Sequence, residues 1–282
     1  MKRMLDLTRI KAVAVDLDGT VLLPGAKLSE RTVAVFKMCM ERGLGVIIAT
    51  GRSVLSAEPF RAALGAEGAM VYFNGAELVA MPENRILHRA FLPHEVALEC
   101  AALARRRGVH FHVFFSDDKE ASLESLVAEN PSDAASVYKE RTGLEFEYGD
   151  ICERLSAPHP PACIKGLFID EPDALEEIRA ELRGKFGGGI TIVKSADAFL
   201  EILNEDASKG KTLLLALKSR GLLACEVVAF GDEENDLSMF QAAGFSCAPE
   251  SARDYVKAAA DCIIASNAED GVADFLEKNF LS

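Results

Sequence analysis

The chain has 282 residues, of which 49% are hydrophobic and 27% are charged. This balance is that of a folded globular protein and excludes the disordered and fibrous classes. Acidic residues outnumber basic ones by 44 to 31, so the overall field repels nucleic acid and anionic membranes. We therefore expect neither as a partner, and the sequence leaves the oligomeric state open.

The cysteine pattern and the hydropathy indicate the compartment. The seven cysteines are odd in number and form no Cys-x-x-Cys pair, which disfavours a disulfide framework or a zinc site. Charged residues interrupt the apolar stretch near the start, unlike a signal peptide, and no run of eighteen apolar residues indicates a membrane span. We expect a cytoplasmic protein.

The first third of the chain alternates short apolar runs with amphipathic stretches, which is typical of a parallel sheet covered by helices. Ser29 and Ser53 are expected to cap the two helices, with Thr32 and Ser56 in the first turns. In chain order the predicted elements are a strand at 12–15, a helix at 29–42, a strand at 45–49, a helix at 53–64 and a strand at 70–73.

The middle third has a different pattern. Strands at 77–80 and 85–90 are expected to flank a hairpin turn at Pro82-Glu83-Asn84, and mixed helices and strands follow. The stretch 109–115 alternates and places His110 and His112 on one face, which favours a polar sheet face over a metal site. A substrate contact by these histidines stays open if that face looks onto the core.

The last third returns to the first pattern, so both ends of the chain are expected to form one unit. The predicted strands lie at 227–230, 246–248 and 262–264, and the predicted helices at 233–243, 251–258 and 269–279. Linker-like breaks bracket the middle region, which we interpret as an insertion. The predicted fold class is α/β: a doubly wound, Rossmann-like parallel-sheet core from residues 1–78 and 205–282, with an inserted α+β domain at 79–204.

Two carboxylates stand at the end of the first predicted strand. Asp16 and Asp18 precede Gly19-Thr20, where parallel sheets place their ligand crevice. A calcium-binding loop starting at Asp16 would need glycine and glutamate at its sixth and twelfth positions, which hold Val21 and Lys27. A helix cap would account for only one of the carboxylates. A catalytic pair fits better than either.

The stretch Asp16-Leu17-Asp18-Gly19-Thr20 resembles the first motif of the haloacid dehalogenase superfamily. Three further motifs of that superfamily resemble stretches that follow in order: Ile47-Ile48-Ala49-Thr50-Gly51-Arg52, Ser208-Lys209-Gly210 and Gly231-Asp232-Glu233-Glu234-Asn235-Asp236. The Asn74-Gly75-Ala76 turn, the long insertion and the stretch 266–272 are similar to the Cof-type group, which carries a type IIB cap. The resemblance spans nearly the whole core.

This resemblance implies a Mg²⁺-dependent phosphatase. Asp16 would form an aspartyl-phosphate, and Asp18 would act as general acid and then as general base. The implied metal ligands are the side chains of Asp16 and Asp232 and the backbone carbonyl of Asp18. Lys209 would place a positive charge near the phosphoryl oxygens. Asp236 would hold either Lys209 or a metal-bound water.

The remaining implied residues would bind the substrate. Thr50 and the Gly51 amide would bind phosphoryl oxygens, and Asn235 would bind a phosphate oxygen or Asp16. Arg52 and Asn74 complete the implied site. A large cap over the crevice excludes water and bulky substrates, so we expect small phosphorylated metabolites, with sugar phosphates first.

Two other functions stay open at this point. A phosphomutase would use the same two aspartates but return the phosphoryl group to the product. A non-catalytic sugar-phosphate-binding protein belongs to a different class, and a missing nucleophile or metal ligand would favour it. The sequence lacks neither.

Overall fold

The structure, a computed structural model, describes residues 3–116 and 124–281. The strands are β1 (Ala12–Val15), β2 (Gly45–Ile48), β3 (Gly68–Tyr72), β4 (Glu77–Met81), β5 (Arg85–Arg89), β6 (His110–Ser116), β7 (Glu124–Ala128), β8 (Glu147–Tyr148), β9 (Ala162–Ile169), β10 (Ile190–Ala196), β11 (Phe199–Asn204), β12 (Val227–Phe230), β13 (Phe245–Pro249) and β14 (Cys262–Ile264). The helices are α1 (Glu30–Glu41), α2 (Val54–Leu64), α3 (His94–Arg107), α4 (Asp133–Thr142), α5 (Ile151–Leu155), α6 (Pro172–Phe186), α7 (Lys209–Ser219), α8 (Leu237–Ala242), α9 (Asp254–Ala259) and α10 (Gly271–Leu276).

A parallel sheet in the order β14-β13-β12-β1-β2 forms the centre of the first unit. The side chains of β1 alternate between two apolar cores. Val13 and Val15 pack in the core that contains residues of α1, α2 and α10. Ala12 and Ala14 pack in the core that contains residues of α7, α8 and α9. Because helices cover both faces, the predicted doubly wound α/β core is confirmed.

The helices next to this sheet begin where the sequence predicts. The Ser29 hydroxyl accepts a hydrogen bond from the Thr32 amide at 2.9 Å. The Ser53 hydroxyl accepts one from the Ser56 amide at 3.2 Å. Each bond satisfies a backbone donor that the first helical turn leaves without a partner. The two predicted caps are therefore confirmed.

The predicted helix over 233–243 begins later than expected. A 3₁₀ turn occupies Glu234–Asp236, and α8 starts only at Leu237. The Asp236 carboxylate accepts hydrogen bonds from the amides of Asp232 and Glu233, at 2.9 and 3.1 Å. This side-chain bonding competes with regular helix at these positions. The tight turn keeps the acidic residues at the end of β12.

A second, six-stranded sheet in the order β10-β11-β9-β6-β7-β8 forms the cap. One face packs on α3, α5 and α6 through residues such as Phe111, Val113 and Phe168. Apolar residues on the other face, such as Phe114 and Leu167, pack in the same core as residues of the first unit. The small sheet β3-β4-β5 lies between the two, and the boundary after residue 78 falls inside β4. The division of the chain into a core at 1–78 and 205–282 and a cap at 79–204 stays a proposal.

His110 and His112 lie on the cap-sheet face that does not carry α3 and α6. His112 is fully buried, and its ring packs on Tyr138 and Phe146 with centroids 4.6 and 5.2 Å apart. His110 and His112 are joined by a ring-nitrogen contact of 3.0 Å. Neither histidine lines the cleft at Asp16: His112 is buried inside the cap, and His110 borders a separate cleft on the cap. Among the described residues, every helix is too short or too polar to cross a bilayer.

A tight turn after β3 fixes the approach of α7 to the site. Gly75 has φ of 100°, a conformation that favours glycine, and a Cβ there would collide with the Ser208 backbone. The Gly75 carbonyl also accepts a hydrogen bond from the Thr212 hydroxyl at 2.7 Å. The start of α7, with Lys209 at its first position, therefore sits directly against this turn.

This close approach predicts opposite effects for two glycine-to-alanine substitutions. Gly75→Ala should lower the free energy of unfolding by roughly 2 kcal/mol or more, because the new methyl group has no room and φ is unfavourable. Gly184→Ala, at an exposed position of α6 where the new Cβ meets no neighbouring group within 4 Å, should raise it by about 0.5–1 kcal/mol. Urea unfolding measures both. Equal effects would contradict the packing described for Gly75.

Candidate active site

The site begins where β1 ends. Asp16 follows Val15, and the chain then turns through Leu17–Val21. Gly19 has φ of 76°, and a Cβ there would collide with the Asp232 carboxylate. Only glycine lets the backbone after β1 come this close to the residue that follows β12. The two adjacent parallel strands therefore bring their acidic residues to one edge of the sheet.

An acidic cluster lies at this edge. Carboxylate oxygens of Asp16, Asp232 and Asp236 lie within 4.8 Å of one another. The Thr20 hydroxyl donates a hydrogen bond to Asp232 at 2.6 Å. Oxygen ligands of this kind are those that hard divalent cations prefer. The side chains present therefore fit a divalent cation such as magnesium.

Lys209 supplies the positive charge inside the cluster. Its Nζ lies 2.8 Å from Asp16 Oδ1 and 2.7 Å from Asp236 Oδ1, and the side chain is completely buried. Because Asp236 is itself fixed by two backbone amides, it holds the lysine in place. This contact is one of the two alternatives that the sequence left for Asp236. A contact with a metal-bound water stays a prediction.

The electrostatics of the cluster leave negative charge unbalanced. Burial raises the pKa of Asp16, although Lys209 opposes the rise. Burial also raises the pKa of Asp232, and the neighbouring Asp16 and Asp236 raise it further. Burial alone would lower the pKa of Lys209, but the two carboxylates it contacts outweigh this and raise it. Three carboxylates against one ammonium is the environment that a bound cation would relieve.

Asp18 has a separate environment. Arg52 binds it with both arms of the guanidinium, Nε to Oδ2 at 2.7 Å and Nη2 to Oδ1 at 2.8 Å. Arg141 of α4 approaches the same carboxylate at 3.5 Å. Burial tends to raise the pKa of Asp18, but the hydrogen bonds and charge of Arg52 outweigh it and lower the pKa. The two aspartates of the first motif are thus held by different partners.

The loop after β2 lies beside this pair. The Thr50 hydroxyl accepts a hydrogen bond from the Arg52 amide at 3.2 Å, and the Thr50 carbonyl accepts one from the Asn74 amide at 3.0 Å. A Cβ on Gly51 would lie 3.1 Å from the Asn74 side chain, which is tighter than usual. Asn235 donates to the Asn74 side-chain oxygen at 2.8 Å. All the residues predicted for the site therefore converge on one region.

A buried polar link joins the cap to this loop. Lys165 of β9 donates to the Gly51 carbonyl at 2.9 Å and lies 2.8 Å from Glu201 of β11. Glu201 also accepts a hydrogen bond from Asn74 at 2.7 Å. The Lys165 ammonium lies 5.0 Å from the centroid of the Phe114 ring, a cation–π distance. The cap is therefore bonded directly to the loops that carry the second motif and the Asn74 turn.

Sequence reasoning missed three residues of the site, Lys165, Glu201 and Arg141. The sequence does point to Lys165 and Glu201, because each is the one charged residue of a mostly apolar strand: ACIKGLFI for β9 and FLEILN for β11. A charge in such a strand needs a buried partner. The sequence does not distinguish Arg141 in this way, because it lies among other polar residues of α4.

Comparison with known proteins agrees with this geometry. The family model of haloacid dehalogenase-like hydrolases matches residues 13–276. A pyridoxal phosphate phosphatase of Escherichia coli is 27% identical, over 96% of this chain and 99% of the relative. An HMP-PP phosphatase of Serratia proteamaculans is 29% identical, over 83% of this chain and 81% of the relative.

Solved structures share the fold. A haloacid dehalogenase-like hydrolase from Bacteroides thetaiotaomicron is 28% identical, with a TM-score of 0.80, over 96% of this chain and 100% of that one. A subclass IIB sugar phosphatase is 22% identical, with a TM-score of 0.80, over 95% of this chain and 98% of that one, and is alike in fold. The chain belongs to the haloacid dehalogenase-like hydrolases. Within that family it is a phosphatase with a cap of the Cof type.

The buried link between cap and core predicts a large loss of stability when it is broken. Lys165→Met should lower the free energy of unfolding by about 3–5 kcal/mol, because Glu201 is left buried without its counter-charge. Lys185→Met removes a lysine whose side chain is 53% exposed and paired with Glu99, and should cost less than about 1 kcal/mol. Thermal or urea unfolding compares the two.

The double variant Lys165→Met/Glu201→Gln adds a second readout. It should recover part of the loss, because glutamine keeps an acceptor for Asn74 and carries no charge. A single Lys165→Met variant no less stable than Lys185→Met would contradict a buried ion pair at this position.

Proposed function

We propose that this phosphatase hydrolyses small phosphorylated metabolites, sugar phosphates first, with Mg²⁺ held by Asp16, Asp232 and the Asp18 carbonyl. The observation that supports this most is the cluster of three carboxylates, two of them buried and in contact with Lys209. Bound Mg²⁺ would supply positive charge that offsets the repulsion between the nucleophile and the phosphate.

Asp16 is the proposed nucleophile. A carboxylate that approaches a phosphate is opposed by roughly 4 kcal/mol for each pair of unit charges at about 4 Å and intermediate dielectric. Lys209, 2.8 Å from Asp16, offsets part of this repulsion with a fixed charge that needs no reorganisation during the reaction. Attack by Asp16 forms an aspartyl-phosphate and divides hydrolysis into two displacements.

Asp18 is the proposed acid and base. It would protonate the leaving alkoxide in the first displacement and take a proton from the attacking water in the second. Its side chain is 22% exposed and lines the cleft, so it is open to the ligand. The two-pronged contact with Arg52 orients the carboxylate and favours its ionised form, which suits the base role in the second displacement.

The phosphoryl oxygens are proposed to lie against the loop after β2. The hydroxyl of Thr50 and the amide of Gly51 would donate to them, and Asn235 would add a side-chain amide. Asn74 holds Asn235 through a hydrogen bond of 2.8 Å. Asp236 is proposed to act through Lys209, which it contacts at 2.7 Å.

The size of the substrate follows from the cap. The cavity beside Asp16 is only about 40 Å³ and is lined from both cap and core. Walls from both cap and core restrict access to this space, which favours a small substrate over a phosphoprotein. The named relatives act on small phosphorylated compounds, which supports the same range for this chain. We also propose a cytoplasmic location, which the free cysteines support.

The mechanism predicts that phosphate release depends on both Mg²⁺ and Asp16. Release from p-nitrophenyl phosphate should require Mg²⁺ and stop with EDTA. Asp16→Asn should lower kcat by on the order of 10³ or more, because the nucleophile is gone. Asp254→Asn, whose side chain is 99% exposed, should behave as the wild type. Activity that survives Asp16→Asn would overturn the mechanism.

Product analysis separates the two enzyme hypotheses. Glucose 6-phosphate should yield glucose and inorganic phosphate. An isomeric sugar phosphate without free phosphate would identify a phosphomutase instead. The presence of Asp16, Asp232 and Lys209 together favours either enzyme over a silent sugar-phosphate-binding protein.

A further inference from the structure

The end of the site that faces the leaving group carries excess positive charge. Asp18 is bound there by Arg52 at 2.7 and 2.8 Å and approached by Arg141 at 3.5 Å. Lys165, the other cation that lines the cavity, is balanced by Glu201 at 2.8 Å. Among the residues that the structure describes, two arginines therefore share one carboxylate, and one positive charge is left without a carboxylate of its own.

The unmatched cation is Arg141. Arg52 uses its Nε and Nη2 on Asp18 and its Nη1 on the Ser56 carbonyl at 3.4 Å. The Arg141 guanidinium, in contrast, donates no hydrogen bond to any residue in 3–116 or 124–281. It lies over the Phe199 ring, 5.1 Å from the centroid, which restricts its movement without using its donors. These N–H groups are available to a ligand.

Arg141 stands at the junction of two spaces. It lines the small cavity beside Asp16 and also a cleft of about 630 Å³ between α4 and the loop after the first motif. Asp18 lines both as well. A leaving group protonated by Asp18 can therefore extend past Arg141 into the larger cleft.

The other walls of this cleft contribute little charge. Leu22, Leu23, Pro24 and Val137 contribute apolar side chains to these walls. Glu140 borders it too, but Glu140 is exposed and forms no ion pair with Arg141 within the described parts of the chain. Water screens such an exposed charge strongly. Arg141 is thus the group there best placed to bind an anion.

We propose that Arg141 binds a second anionic group, a carboxylate or a phosphate, on the leaving group of the substrate. This inference rests on the proposed function, since it assigns the ester oxygen to Asp18. The planar guanidinium binds either anion through two parallel hydrogen bonds. Arg141 lies 3.5 Å from Asp18. If Asp18 and Arg141 each form one hydrogen bond of ~2.8 Å to the substrate, the anion lies within roughly 9 Å of the ester oxygen. Phosphorylated sugar acids and sugar bisphosphates meet this condition.

Matched substrates test the proposal. With Mg²⁺ present, kcat/KM is measured for 6-phosphogluconate against glucose 6-phosphate, and for fructose 1,6-bisphosphate against fructose 6-phosphate. The first pair tests a carboxylate and the second a phosphate. At least one anionic partner should be preferred tenfold or more, and the pair that shows the preference identifies the anion.

Variants of α4 test whether the preference for the anionic substrate depends on Arg141. Arg141→Ala should reduce the ratio of kcat/KM between the anionic and the neutral substrate at least tenfold, chiefly through KM, and Arg141→Lys should keep part of it. Lys139→Ala removes a positive charge from the same helix, where the side chain is 51% exposed, and should leave the ratio unchanged.

Two results would overturn the proposal while the phosphatase mechanism stands. The first is hydrolysis of p-nitrophenyl phosphate with no preference for either anionic substrate. The second is an Arg141→Ala variant that slows anionic and neutral substrates by the same factor, which would mean that Arg141 only supports Asp18. Absence of Mg²⁺-dependent hydrolysis of every substrate would instead overturn the proposed function, and this subsite with it.

Discussion

The structure depends on one costly arrangement, three carboxylates, two of them buried and one half-buried, close to a single ammonium group. Asp16 and Asp236 share Lys209, and the side-chain donor to Asp232 among the described residues is the Thr20 hydroxyl. Burial of like charges in a medium of low dielectric is strongly unfavourable unless something positive is close. Lys209 meets part of this need, and the remainder is what makes the cluster suitable for a divalent cation and a phosphate together.

The fold keeps these charges together by geometry that local interactions enforce. Adjacent parallel strands β1 and β12 end at the same edge, and Gly19 allows their loops to touch. Gly75 lets α7 start close enough for Lys209 to reach Asp16. The cap then closes the site through Lys165, which bonds to the loop after β2. The proposed nucleophile Asp16, its counter-charge Lys209 and the loop after β2 are thus fixed relative to one another before any ligand arrives.

Sequence predicted the core far better than the cap, and the reason is the range of the interactions. The caps at Ser29 and Ser53 and the alternating strands follow from residues a few positions apart, and the motif positions follow from resemblance to a known family. The contact between Lys165 and Gly51 joins residues 114 positions apart, and no local pattern specifies it. The 3₁₀ turn at Glu234–Asp236 was missed because a side chain takes the backbone amides there.

Direct measurement of Mg²⁺ binding tests the central claim without relying on turnover. Calorimetric titration should show one Mg²⁺ bound per chain, and Asp232→Asn should weaken binding at least tenfold because a ligand oxygen loses its charge. Glu129→Gln is the matched control. Glu129 belongs to a second cluster, with Asp150 and Cys152, and its carboxylate forms an ion pair with Arg105 at 2.6 Å. Equal Mg²⁺ affinity in wild type and Asp232→Asn would contradict the assignment of the metal to this cluster.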